Sequence, residues 1–132
     1  VFASAQMTIE RLMLDQLMLP VSHYCHGVRA GSHVWVSGMV GCTVDGDIPD
    51  DVVAQFRIAL EAVDTVLRAL GGGARNVVKV QVFLTDINDR AQINPLRESY
   101  FGEHRPASTL VEVSALVDAR MKVEIEAEAI LD

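Results

Sequence analysis

The stretch that decides the fold lies near the end of the chain, Met121–Leu131, and reads MKVEIEAEAIL. Apolar and charged residues alternate along it. One side carries Met121, Val123, Ile125, Ala127 and Ala129, and the other carries Lys122, Glu124, Glu126 and Glu128. This period of two is that of a β-strand with one buried face. It predicts a sheet that is covered on one side, with its carboxylate side turned towards water or another subunit.

The cover is predicted by a long amphipathic segment further upstream. Its apolar residues recur at steps of three and four, which places them on one stripe of a helix. They are Val53, Phe56, Leu60, Val63, Leu67 and Leu70. We expect Asp50 to cap the start of this helix, and the glycines at Gly71–Gly73 to end it.

A strand is predicted directly after this helix, in the sequence NVVKVQVFLTD. We expect Val78, Val80, Val82 and Leu84 to form its apolar face. A second helix is predicted over 89–101. Further strands are predicted over 8–14, 24–29, 33–40 and 108–116. The order of strands, helix, strand, helix and strands predicts an α+β domain with both helices on one face of the sheet.

Composition excludes several classes of function. The 132 residues suit a single domain, for which we expect residues 7–132, with Met7 as the natural start and residues 1–6 an added or disordered segment. The net charge of −7 disfavours nucleic-acid partners and anionic membranes. No apolar run approaches the roughly 20 residues of a membrane span, and we expect a cytoplasmic protein. Two cysteines make no disulfide framework, and the histidines lack metal-ligand spacing.

Four segments together carry a family resemblance. They are VWVSGMVG (Val34–Gly41), the helix and strand region Asp51–Asn94, RPASTLVEVSAL (Arg105–Leu116) and VEIEAEAI (Val123–Ile130). The combination resembles the Rid family, the YjgF-like reactive intermediate deaminases, over about residues 22–131. The resemblance implies a chorismate-mutase-like fold and a homotrimer with clefts between neighbouring subunits. It also implies a hydrolase that acts on enamines or imines derived from amino acids, such as 2-aminoacrylate, and releases ammonia without a cofactor.

The resemblance also assigns site residues. Tyr24 falls on the cleft tyrosine of the family, Gly38 on the glycine of VSG, and Asn94 on an asparagine of the second helix. Glu124 falls on the glutamate that accompanies the reacting water. We therefore expect Glu124 to be the general acid/base or to position the water. Tyr24, Gly38 and Asn94 are expected to contact the substrate, a small molecule.

One departure from the family pattern concerns the substrate carboxylate. Relatives hold it with an arginine at the start of the fifth strand, and this chain has Ser108 there. A hydrogen bond to a charged group is worth about 1.5–3 kcal/mol, so its loss weakens binding roughly 10- to 100-fold. Ser108 and Thr109 remain candidate substrate-binding hydroxyls, although strand hydroxyls commonly bond neighbouring backbone. Arg105, three residues upstream, is a candidate replacement cation.

Two functions stay open at this point. The first is an imine or enamine deaminase, or a related hydrolase, whose preferred substrate differs from simple 2-aminoacrylate-type imines. The second is a non-catalytic trimer that holds a small metabolite in the same cleft. The release of ammonia from a freshly generated imine separates them.

Overall fold

The computed structural model describes residues 8–132, so the expectations for residues 1–6 and for Met7 lie outside the described residues. Within them, six strands and two helices follow one another, with short 3-10 turns at Ala74–Asn76 and Ile87–Asp89. The strands are β1 (Ile9–Leu12), β2 (Gly27–Ala30), β3 (His33–Val40), β4 (Val77–Leu84), β5 (Ala107–Glu112) and β6 (Val123–Ile130). The helices are α1 (Val52–Ala69) and α2 (Arg90–Phe101).

The six strands form one mixed sheet in the order β1-β2-β3-β6-β4-β5. All neighbours are antiparallel except β4 and β5. The parallel pair needs a crossover, and α2 supplies it. The α+β prediction is confirmed. β1 and β5 are the two edges of the sheet, so one side of β5 pairs with no other strand of the described residues.

The alternation in Met121–Leu131 has the predicted outcome. β6 lies in the middle of the sheet, between β3 and β4. Its apolar residues Val123, Ile125, Ala127 and Ala129 are buried in the core that α1 covers, whereas Glu124, Glu126 and Glu128 are half-buried. These glutamates define the open face of the sheet, the face opposite the helices.

The first helix is where the apolar stripe predicts it, but its cap is not. Asp51, and not Asp50, is the N-cap, and its carboxylate accepts a hydrogen bond from the Ala54 N–H at 3.0 Å. Two neighbouring aspartates are chemically equivalent in the sequence, and the helix bounds choose between them. At the other end, Gly71 adopts a φ of +97° and the Gly72 N–H donates to the Leu67 carbonyl, which ends the helix as expected.

Two strand predictions need correction. β2 begins at Gly27, not at Tyr24, because the residues before it form a loop. In β4, Val78 is 45% exposed, and Val77 is buried in its place. The pairing between β4 and β6 shifts between Val77 and Lys79, so one extra residue enters β4 and turns Val78 outwards.

Neither helix in residues 8–132 combines the length and the apolarity that a membrane crossing requires.

Candidate functional site

Three of the predicted site residues share one cavity. Tyr24, Gly38 and Glu124 all line a hollow of about 350 Å³ beside β3 and β6. Most of its remaining walls are apolar, and they include Leu17, Met18, Val21, Met39, Val44 and Val117. A half-buried carboxylate in a largely apolar hollow that also has a few polar side chains is the arrangement expected of a site for a small organic molecule.

Glu124 is the half-buried carboxyl of this cavity, which the exposed Glu61 also lines. Burial raises the pKa of its carboxyl above the ordinary value, and the neighbouring Glu126 carboxylate raises it further. Within residues 8–132, no Lys, Arg or His side chain forms an ion pair with Glu124. A carboxyl that holds its proton more readily is suited to both accepting and returning a proton near neutral pH.

Gly38 makes room for this carboxylate. β3 and β6 pair with a shift between Val36 and Met39, so β3 bulges at the position of Gly38. A Cβ atom added to Gly38 would lie 2.6 Å from Oε1 of Glu124, closer than real Cβ contacts come. Glycine at position 38 is therefore required if Glu124 is to keep its present orientation.

The loop that carries Tyr24 is fixed by two side chains. The Ser37 hydroxyl donates to the Cys25 carbonyl at 2.6 Å. Buried His26 accepts the Leu14 N–H at Nδ1, at 3.0 Å, and its Nε2, at 2.9 Å from the Met18 carbonyl, is then the donor to it. These bonds hold the loop wall of the cavity against β3. The sequence pattern gave no sign that His26 has this structural role.

Gln55 fixes the backbone that leads into β6 and therefore to Glu124. This fully buried side chain donates from Nε2 to the carbonyls of Pro49 and Arg120, at 2.7 and 2.9 Å. Its Oε1 accepts the Lys122 N–H at 2.8 Å, two residues before Glu124. Sequence reasoning missed Gln55. An available signal was an amide on the buried stripe of α1, because buried amides need partners.

The other predicted site residues lie elsewhere on the chain. Ser108 pairs with Val80, whose side chain is buried under the helices, so Ser108 lies on the helix-covered face at the β5 edge. Arg97 of α2 donates from Nη2 to the Ser108 hydroxyl at 2.7 Å. Thr109 is turned to the open face, where its hydroxyl accepts from Lys79 Nζ at 3.0 Å.

Asn94 and Arg105 are the remaining predicted site residues. Asn94 is half-buried on α2, and Arg105 is exposed in the segment between α2 and β5. In the part of the chain that is described, Arg105 forms no ion pair. Its proposed entry into a cleft stays a prediction.

The two sets of residues cannot meet within one chain. Ser108 and Glu124 lie on opposite faces of the sheet, and β4 separates their strands. A cleft that contains both therefore requires a second subunit. No group of three His, Cys, Asp or Glu side chains within residues 8–132 is arranged to hold a metal ion.

Comparison with known proteins decides the family. A family model described as Endoribonuclease L-PSP, the YjgF/Rid family, matches residues 15–131. The chain belongs to this family. The Rid relative named "Putative reactive intermediate deaminase TdcF" from Escherichia coli is 39% identical over 114 residues, which cover 83% of this chain and 88% of the relative. The E. coli protein named "2-iminobutanoate/2-iminopropanoate deaminase" is 37% identical over the same shares of the two chains.

A solved Rid structure agrees with the fold described above. The crystal structure of E. coli TdcF with bound serine superposes with a TM-score of 0.87 and 34% identity, over 93% of this chain and 99% of that one. The chorismate-mutase-like, YjgF-like fold inferred from sequence is thereby confirmed. The bound serine is a small amino acid on a Rid scaffold, and it is a finding about TdcF.

Proposed function

We propose that this protein is a Rid-type imine deaminase that hydrolyses the C=N bond of a small metabolite. The observation that carries the proposal is Glu124, a half-buried carboxyl of raised pKa in an apolar hollow, held in place beside Gly38. Family membership and the names of the relatives support the reaction class.

The proposed chemistry needs one proton-transferring group and one water. The Glu124 carboxylate takes a proton from water as the water oxygen bonds to the carbon of the N-protonated imine, which gives a neutral carbinolamine. The protonated carboxyl then returns this proton to nitrogen, and the carbinolamine hydroxyl gives its proton to the departing nitrogen as the C–N bond breaks. The products are a carbonyl compound and ammonium, and Glu124 ends in its starting state. This is general acid–base catalysis, typically worth about 10²- to 10⁴-fold in rate.

The proposed assembly is a homotrimer with clefts between subunits. It is supported by the separation of Ser108 from Glu124 and by large apolar side chains exposed on the open face, among them Trp35 at 40%. Sedimentation at micromolar concentration is expected to give three chains per particle. A stable monomer that turns over an imine would contradict the shared cleft.

The test of function is ammonia release from imines generated in the assay. The panel contains 2-aminoacrylate and imines with longer apolar side chains, because the walls of the cavity are apolar. Since position 108 holds serine, we expect 2-aminoacrylate to be a poor substrate. Glu124→Gln keeps the shape and removes proton transfer, so turnover should fall about tenfold or more.

The matched control is Glu128→Gln, further along the same face of β6. It should leave turnover nearly unchanged. Equal losses in both variants, or no loss in Glu124→Gln, would remove Glu124 from the mechanism. Ammonia release no faster than in buffer, for every imine tested, would favour the non-catalytic binding trimer, which the serine at position 108 also supports.

A further inference from the structure

The guanidinium of Arg97 is in an unusual position. Arg97 belongs to α2, and its Nη2 donates to the Ser108 hydroxyl at 2.7 Å, across the edge of the sheet. The side chain is half-buried, and burial lowers the pKa of its guanidinium, which still stays charged at any physiological pH. A charged group is thus held beside Ser108, at the position where the resemblance implies an arginine in relatives.

Among the described residues, no acidic side chain balances the charge of Arg97. No Asp or Glu side chain in residues 8–132 comes within 4.0 Å of it to form an ion pair. The hydrogen bond to Ser108 uses one of the five N–H donors of the guanidinium. A partly desolvated cation with free donors in a fixed planar fork is a ready receptor for a carboxylate.

The location gives this cation a function. The family resemblance implies a strand arginine at position 108 in relatives, and the Arg97 guanidinium of this chain donates to the side chain at that position. We propose that Arg97 binds the substrate carboxylate in this protein, with Ser108 orienting the guanidinium. In this protein the arginine that binds the carboxylate then lies on α2 and not on β5. The inference rests on the proposed imine deaminase, and it names the group that would recognise the acid end of an imine that carries a carboxylate.

Binding of pyruvate, a 2-oxo acid, tests the inference without turnover. Isothermal titration of the full-length protein compares pyruvate with pyruvamide, in which a neutral amide replaces the carboxylate. Arg97→Gln should weaken pyruvate binding about 10- to 100-fold and leave pyruvamide nearly unchanged. The pyruvate affinity of Arg97→Lys should lie between those of the natural chain and Arg97→Gln, because lysine keeps the charge and loses the planar fork of donors. Arg90→Gln, an exposed arginine on the same helix, is the matched control and should bind pyruvate normally.

A second variant restores the family arrangement. Ser108→Arg in the Arg97→Gln background should recover pyruvate binding to within about tenfold of the natural chain, because it returns a guanidinium to the same region. A purely structural role for Arg97 would leave the pyruvate to pyruvamide ratio unchanged. That result would overturn the inference, and so would a loss that follows Arg105→Ala in place of Arg97→Gln.

The two proposals fail in different ways. Pyruvate binding that depends on Arg97, without ammonia release from any imine, would support the anchor and overturn the deaminase. Ammonia release that persists undiminished in Arg97→Gln would support the deaminase and overturn the anchor.

Discussion

Replacing Gln55 with leucine should destabilise the protein more than any exposed substitution. Gln55 is fully buried and satisfies three backbone groups at once, the carbonyls of Pro49 and Arg120 and the N–H of Lys122. Leucine has a similar size, so Gln55→Leu keeps the packing of α1 and removes the hydrogen bonds. The three groups are then left in the interior without a partner.

The magnitude follows from those three groups. A buried polar group without a partner costs about 1–3 kcal/mol, and a neutral hydrogen bond contributes about 1 kcal/mol net. Because the loop groups of Pro49 and Arg120 can regain water in part, we expect a total loss of about 3–6 kcal/mol. Domains of this size are stable by about 5–15 kcal/mol, so the variant should fold only marginally.

Urea unfolding at one fixed protein concentration measures the loss. With a slope of about 2 kcal/mol per M, the midpoint should fall by roughly 1.5–3 M at an unchanged slope. Gln92→Leu is the control, since exposed Gln92 bonds only Asp89 in the described chain, and should shift the midpoint little. Equal shifts of the urea midpoint in the two variants would refute the conclusion that the three buried hydrogen bonds of Gln55 stabilise the fold.

Three further substitutions test the geometry around Glu124 and Gln55. Gly38→Ala should lower turnover about tenfold or more because its Cβ meets the carboxylate, whereas Gly73→Ala, with nothing within 4 Å, should not. Glu124→Gln should raise the thermal midpoint at pH 7, because the raised pKa means that the folded state disfavours the charged form. The gain should shrink as pH falls towards the ordinary glutamate pKa, and a loss of stability at pH 7 would contradict the sign. Gly41→Ala should cost about 1–3 kcal/mol in urea unfolding, because its Cβ would lie 2.3 Å from that of Gln55.

Periodicity predicts the elements of this chain better than their details. The alternation in β6 and the stripe in α1 are long, and each fixes a buried face. The extra residue in β4 was not predictable, because Val77 and Val78 are identical in the sequence and either can take the buried position. Only pairing with β6 decides between them.

The site depends still more on long-range contacts. Gly38 and Glu124 meet because β3 pairs with β6, which lies more than eighty residues further along the chain. Their proximity was predictable only through the family resemblance. Arg97 was not predicted at all, because nothing in its local sequence shows that its long side chain reaches Ser108 from a different element.

The placement of Ser108 and Glu124 on opposite faces of one sheet has a genetic consequence. If each cleft takes one wall from each of two neighbours, two impaired chains can complement one another. An Arg97→Gln chain still supplies an intact Glu124, and a Glu124→Gln chain still supplies an intact Arg97. Unfolded together in equal amounts and refolded into rings of three, they should regenerate native clefts at about one quarter of the positions. The mixture would then be more active than either of the two impaired proteins alone.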